Sequence, residues 1–482
     1  MSDYATVKQA IFCLYSPTSN EKDRRDANGW LMNHAATPAA WETGRALLAE
    51  QDEQIQYFGS NLLFMKVRSE WHGLADDVKT GIFAGLRQLI AQLGAGSGSP
   101  PGKWTHLSPG AKRLCLTFAA AAVRSSAVDA FANEAMAMAA DLGGAGVAVA
   151  IELLIALPQE LIERKEGTDA GPAAATAAPS LMRMNSSGML EPRPELRALL
   201  PQVLGLLVAV LGAYPDHPES NASCLRCFHQ WLSLQMSCSM LTLMDSFPSL
   251  LTVTLSALAS PSDTLHMAAA DSLVELFAPA NTALAPTAEK AVLAVHTMGD
   301  QMQQIAVSLK IPEAAGAEGG ELSEHQYHYC RALCAFAERA VDIVAQTDGR
   351  LLSLVQLLFL CLGAELRVSE LTIDFWSGLQ DTPLAQRHEQ LRQPLYRELQ
   401  QRIMSKCTLS LDFVSWEEEV SLDEDDFERF REQAAGERPR CARRLTLHRP
   451  PTSATLNAAP GALLLGTLLP GALRPGALLR AQ

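Results

Sequence analysis

The chain has 482 residues, 48% of them apolar but only 6% aromatic, and carries a net charge of −14 from 53 acidic and 39 basic side chains. That apolar content is enough for a large core, and three of its four main residues, Leu, Ala and Met, are good helix formers, which argues against a β-sandwich. The acidic balance disfavours binding to a phosphate backbone and favours basic partners, so no direct nucleic-acid contact is expected.

Met1 to Ala10 lacks a basic region followed by an apolar core, so no signal peptide is expected. From there an amphipathic stretch, a short break and another amphipathic stretch recur. Residues 3–15 form the first and end at Pro17; residues 20–35 form the second and end at Pro38. Further helices are expected at 39–50, 52–72, 76–93, 108–123, 127–141 and 145–156. Pairs of helices return on the order of every 40 residues, the period of HEAT-type repeats. The expected fold is all-α, a right-handed α-solenoid of HEAT-type helical hairpin repeats.

The helix at 52–72 carries the strongest form of this argument. At about 100° per residue, Tyr57, Ser60, Leu63, Phe64, Val67 and Trp71 fall on one side and Phe58, Leu62 and Met65 roughly opposite. Polar residues keep only a narrow stripe, Gln54, Asn61 and Arg68, with Lys66 and Glu70 on the other flank. A helix with two apolar sides must be covered from two directions, which a solenoid does.

Residues 94–106, 167–195 and 312–322 are rich in Gly, Ser, Pro or Ala and are expected as loops between helices. Leu196 to Ala213 and Leu351 to Gly363 are apolar, but the first contains Arg197 and Pro201 and the second is too short to span a bilayer. Both are expected as solenoid helices, without membrane insertion. The repeats divide into an early part, 1–95, and a continuation, 104–437. The final segment, 438–482, is basic and repeats P-G-A-L, and is expected to be disordered or foreign to the fold, as from a translated intron or a shifted frame.

Motifs for chemistry fail on inspection, and no enzyme, metal or cofactor is expected. Residues 96–103 (GSGSPPGK) lack the first glycine of a phosphate loop, which is Ser97, and Trp104 follows the lysine. Cys224 and Cys227 have no second ligand pair at zinc spacing, and Cys227 lies one turn from Trp231, so both are expected in the core. His325, His328 and Cys330 form another incomplete set. The ten cysteines, Cys13 to Cys441, fit reduced buried thiols better than a disulfide framework. The acidic run from Trp416 to Glu428 is either a solvated loop or a patch for a basic partner.

A resemblance sharpens this. Gln56 to Leu74 (QYFGSNLLFMKVRSEWHGL) resembles the second-repeat helix of the importin-β amino-terminal domain, and Gln9 to Tyr15, Pro17 and Asp23 to Leu31 (DRRDANGWL) its first repeat. Leu153 to Glu163, Cys224 to Leu232, Met267 to Phe277, the run FLCLGAELRVSELTIDFWSG ending at Gly378, and Asp425, Asp426 and Phe427 are similar, in the same order, to segments of the transportin-SR and importin-thirteen branch. The chain thus resembles the amino-terminal half of an importin-β superfamily karyopherin, over residues 1 to about 435.

That resemblance implies a nuclear transport receptor without catalysis, in a truncated form. Its partners would be Ran in the GTP form, protein cargo such as Arg/Ser-rich splicing factors, and Phe-Gly nucleoporins. It would be a monomer shuttling between nucleus and cytoplasm. Ran·GTP would release import cargo, a negative coupling between two ligands on one scaffold. The Ran contacts are expected on the 52–72 stripe, at Gln54, Asn61 and Arg68, and at Asp23 and Arg24. A HEAT scaffold without Ran dependence is the competing reading.

Overall fold

The computed structural model describes residues 2–95, 104–125, 127–140, 144–166, 182–184, 190–192, 194–285, 288–316, 320–346, 348–409, 413, 415, 416 and 424–436. The tail at 438–482 and the phosphate-loop-like run at 96–103 lie outside them. By their contacts, Met1–Arg431 form one unit and Glu432–Gln482 another.

The first repeats are α1 (Ser2–Tyr15), α2 (Glu21–Ala35), α3 (Ala40–Leu48), α4 (Glu53–Glu70), α5 (Asp76–Ala95), α6 (Pro109–Arg124), α7 (Val128–Met138) and α8 (Gly144–Glu166). The chain continues through α9 (Pro194–Ala213), α10 (Pro218–Leu232), α11 (Met240–Ser246), α12 (Pro248–Ala257), α13 (Asp263–Phe277), α14 (Glu289–Ser308), α15 (Ile311–Gly316) and α16 (Glu324–Arg339). It closes with α17 (Val341–Val344), α18 (Leu352–Gly363), α19 (Leu366–Leu371), α20 (Ile373–Asp381), α21 (Gln393–Lys406) and α22 (Glu424–Gly436). The fold is the all-α HEAT-type solenoid that the periodicity implies.

Local chemistry sets the helix ends. Asn20, Asp52 and Ser108 each accept a hydrogen bond from a first-turn N–H of the helix they open, and Pro109 follows Ser108 at a position that needs no donor. At the first turn of the solenoid, Val7, Ile11, Leu31, Leu47 and Ile55 form a core shared by α1, α2, α3 and α4. The backbones of α3 and α4 nearly touch. A Cβ added to Gly59 would lie 2.8 Å from the Gly44 carbonyl oxygen, so only glycine permits this approach.

The closest packing runs along the second helix of each pair, in the order α4, α6, α8, α10, α13, α16. The first helices, such as α7, α9, α12 and α14, touch one another far less. Small side chains permit the close ladder: Ala119, Ala120, Ala121 and Ala122 are all buried on α6. Buried donors also cross it. Thr117 Oγ1 donates to the Ser60 carbonyl (3.3 Å), Trp231 Nε1 to Leu154 (2.8 Å), and Ser272 Oγ to Leu225 (2.9 Å). Each such bond contributes about 1 kcal/mol net and ties one repeat to the next.

Four departures from the sequence reading are local. Ile311–Gly316, expected inside a loop, is the short helix α15. Within the 167–195 loop, Met182–Met184 pairs antiparallel with Leu190–Pro192, the only strands among the described residues. The helix expected to end at 156 continues through Pro158 to Glu166. Lys66, assigned to a polar flank of α4, is only 1% exposed. Its ammonium donates to the Thr37 carbonyl (3.0 Å) and to the Glu70 carboxylate, which also accepts from Trp41 Nε1 (3.2 Å). That flank faces the α2–α3 turn rather than water, so α4 is covered even more completely than its apolar residues alone suggest. Leu196–Ala213 has a mean hydropathy of 1.9 and the length to cross a membrane, yet Leu196, Val203, Leu207 and Val210 lie in the core.

Candidate functional site

The α4 stripe is built as the sequence spacing requires. Gln54, Asn61 and Arg68 stand two turns apart, over roughly 21 Å of helix. Gln54 is exposed and its backbone N–H is capped by Asp52 Oδ1 (2.9 Å). Asn61 is half-buried. Arg68, with 36% of its side chain exposed, lies over the Phe64 ring (5.2 Å to its centre).

Asp23 and Arg24 sit apart from this stripe, in the first turn of α2. The Asp23 N–H donates to Asn20 Oδ1 and its carboxylate accepts from Asn20 Nδ2, both at 2.8 Å. Arg24 donates to the Ser16 carbonyl (2.8 Å), closing the break after α1. Both hold the α1–α2 corner, and the bonds they make there do not join them to Gln54, Asn61 or Arg68.

What the fold does bring to Arg68 is a group from two further repeats. Its Nε lies 3.9 Å from Oε1 of Glu160 on α8, and that same oxygen accepts from Arg124 of α6 at 2.5 Å. Glu160 is fully buried and Arg124 nearly so. One carboxylate therefore pins three successive second helices together between two guanidiniums. Beside it, Arg113 of α6 lies 4.8 Å from the Phe64 ring centre and 5.9 Å from that of Tyr57, and reaches the Tyr57 hydroxyl at 3.4 Å. Two arginines thus stack on one phenylalanine. Further along, burial raises the Glu152 carboxyl above its usual range, against the opposing pull of Lys112 and Arg226. Arg113, Arg124 and Glu160 were missed in the sequence. The available signal was that Arg113 and Arg124 stand three turns apart on an alanine-rich helix.

The other motifs resolve into packing. Cys224 and Cys227 are fully buried beside Trp231, and desolvation pushes both thiols well up from their usual range. The set at His325, His328 and Cys330 divides. Cys330 turns into the core, 3.8 Å from Cys361 Sγ, whereas His325 stacks on His266 of α13 (4.1 Å between ring centres) with His328 next to it (5.4 Å from His266). Burial lowers the pKa of His266 and His328. Arg331 bonds His328 Nδ1 (3.2 Å) and Asp271 (2.9 Å). In the acidic run, 417–423 lie outside the described residues. Glu424, Asp425 and Asp426 occupy the first turn of α22, where a helix favours negative charge, and Phe427 is buried.

No known protein-family model matches the chain. Among curated proteins it is similar to importin-13 of Bos taurus, 25% identical over 468 residues that span 88% of this chain and 41% of the relative. Importin-13 of Homo sapiens is 24% identical over 461 residues and that of Mus musculus 25% over 464, with the same coverage. The likeness supports a relationship to the importin-β karyopherins. The chain spans about two-fifths of the length of these relatives. An engineered protein of solved structure aligns with 90% of the chain at 14% identity and a TM-score of 0.35, too loose a superposition to add to this.

Proposed function

We propose that the chain acts as a nuclear transport receptor of the transportin-SR and importin-thirteen branch, binding Ran in its GTP form through α2, α4 and α6. The reading rests chiefly on the likeness to importin-13, which runs through 88% of the chain. The closely packed ladder of second helices supports it, because a continuous row of helices offers one long surface to a protein partner.

In this reading Gln54, Asn61 and Arg68 meet Ran, with Asp23 and Arg24 at the edge of the contact. Binding of Ran·GTP releases protein cargo, of which Arg/Ser-rich proteins are one class, and Phe-Gly nucleoporins are met during passage. The receptor works as a monomer in nucleus and cytoplasm, outside the membrane, and catalyses no reaction.

The test is calorimetric titration of the full chain with Ran·GTP and, separately, Ran·GDP. The reading predicts tight binding of the GTP form alone, weakened at least tenfold by Arg68→Ala, which removes a charged contact worth about 1.5–3 kcal/mol. Equal weakness toward both forms, from a helical and folded sample, would leave a scaffold without Ran dependence.

A further inference from the structure

Among the described residues, the α4–α6 seam holds a cation without a counter-charge. Arg113 makes no ion pair among the described residues; the only hydrogen bond of its guanidinium there is the long one to the Tyr57 hydroxyl (3.4 Å). Its guanidinium instead lies against two aromatic rings, Phe64 and Tyr57. A guanidinium laid against rings keeps its N–H fork directed along its own plane, prepared for a carboxylate. Half-burial strengthens whatever charge it meets, because the local dielectric is below that of water.

The neighbours match. Arg68 brings a second guanidinium to the same Phe64 ring. Asn61 adds an amide from the α4 stripe between Tyr57 and Phe64. On the next rung, burial raises the Glu152 carboxyl against the pull of Lys112 and Arg226.

We propose that this seam docks an acidic segment of a partner protein, with a carboxylate seated on the Arg113 fork. A peptide fits better than a nucleic acid: a single guanidinium seated on side chains already in place matches one carboxylate, and is too few cations for a row of phosphates. The inference is independent of the receptor reading, since it needs no GTPase, and its test contains none.

The full chain is mixed with a short, fluorescein-labelled Glu-rich peptide, and binding is followed by anisotropy at low and moderate salt. A Lys-rich peptide and an oligouridine of similar length run in parallel. The expected result is saturable binding of the Glu-rich peptide that weakens with salt. Arg113→Gln weakens it about tenfold or more, the loss of a charge-assisted bond. Arg113→Lys, which keeps the charge but not the fork, recovers part of the affinity and guards against a folding defect in the first variant. Arg226→Gln, on α10 away from the seam, leaves it unchanged. Two results would overturn the proposal: Arg113→Gln binding as well as the parent with an unaltered helical spectrum, or oligouridine binding as tightly as the peptide, which would make the surface a general anion trap.

Discussion

The two ends of the ladder handle charge differently. At α13–α22 several arginines are answered from within. Arg331 pairs with Asp271 (2.9 Å), Arg367 with Glu324 (2.5 Å) and Glu365 (2.9 Å), and Arg429 of α22 with Glu370 of α19 (2.9 Å). At α4–α8 one buried carboxylate, Glu160, serves two arginines, and among the described residues the Arg113 guanidinium meets only aromatic rings and a hydroxyl. A seam whose charges are mutually satisfied has little to offer a partner electrostatically. One that keeps a preorganised cation at its surface does.

The comparison breaks most readily at its buried anchors. Trp231 is fully buried and bonds across the ladder to Leu154. Trp231→Ala is expected to cost about 3–5 kcal/mol through the cavity it leaves. The loss is to be read as faster amide exchange in α8 and α10, because repeat arrays open locally rather than as a whole. Uniform exchange rates across the array would contradict that placement.

Glu160→Gln is the sharper test of the early seam. It strands Arg124 without a counter-charge in the core and should cost about 3 kcal/mol. The equivalent change at a late, solvent-facing pair, Glu324→Gln opposite Arg367, should cost under about 1 kcal/mol. Similar losses by chemical denaturation would erase the distinction between the two ends. Gly59→Ala, which drives a methyl against the Gly44 carbonyl, should cost about 1–3 kcal/mol and lower the melting temperature.

The smallest effect belongs to the late seam and to pH. Burial favours the neutral imidazoles of His266 and His328, so their folded pKa values lie below the unfolded value of about 6.5. Their contribution to stability is whole above that pH and is lost as the pH falls through the folded values. The groups facing them are His325, Asp263, Asp271, Glu324 and Arg331, on α13 and α16. Amide exchange at the α13–α16 joint should therefore speed up between about pH 7.5 and 5, and His266→Phe should flatten that slope. An unchanged slope in the variant would show that the stacked histidines are not its source.

These same regions show what a sequence discloses. The helices at 52–72 and 108–123 were legible to within two residues at each end, because their caps, Asp52 and Ser108, and their apolar period are local signals. The stripe of Gln54, Asn61 and Arg68 was legible for the same reason. The burial of Lys66 was not, since it depends on the α2–α3 turn arriving over it. Nor was the stacking of Arg113 on Phe64, which depends on the register between α4 and α6, and no period within either helix records that. Asp23 and Arg24 were readable as polar and exposed, but their work at the α1–α2 corner emerges only from the bonds to Asn20 and Ser16.

The central claim is that the early second helices, rather than the late ones, form the partner face. Hydrogen exchange of the full chain, with and without saturating Ran·GTP, addresses it most directly. The account predicts new protection on α2, α4 and α6, with α13, α16 and α20 unchanged. Protection confined to the late helices, or none at all under conditions where binding is seen by calorimetry, would contradict it.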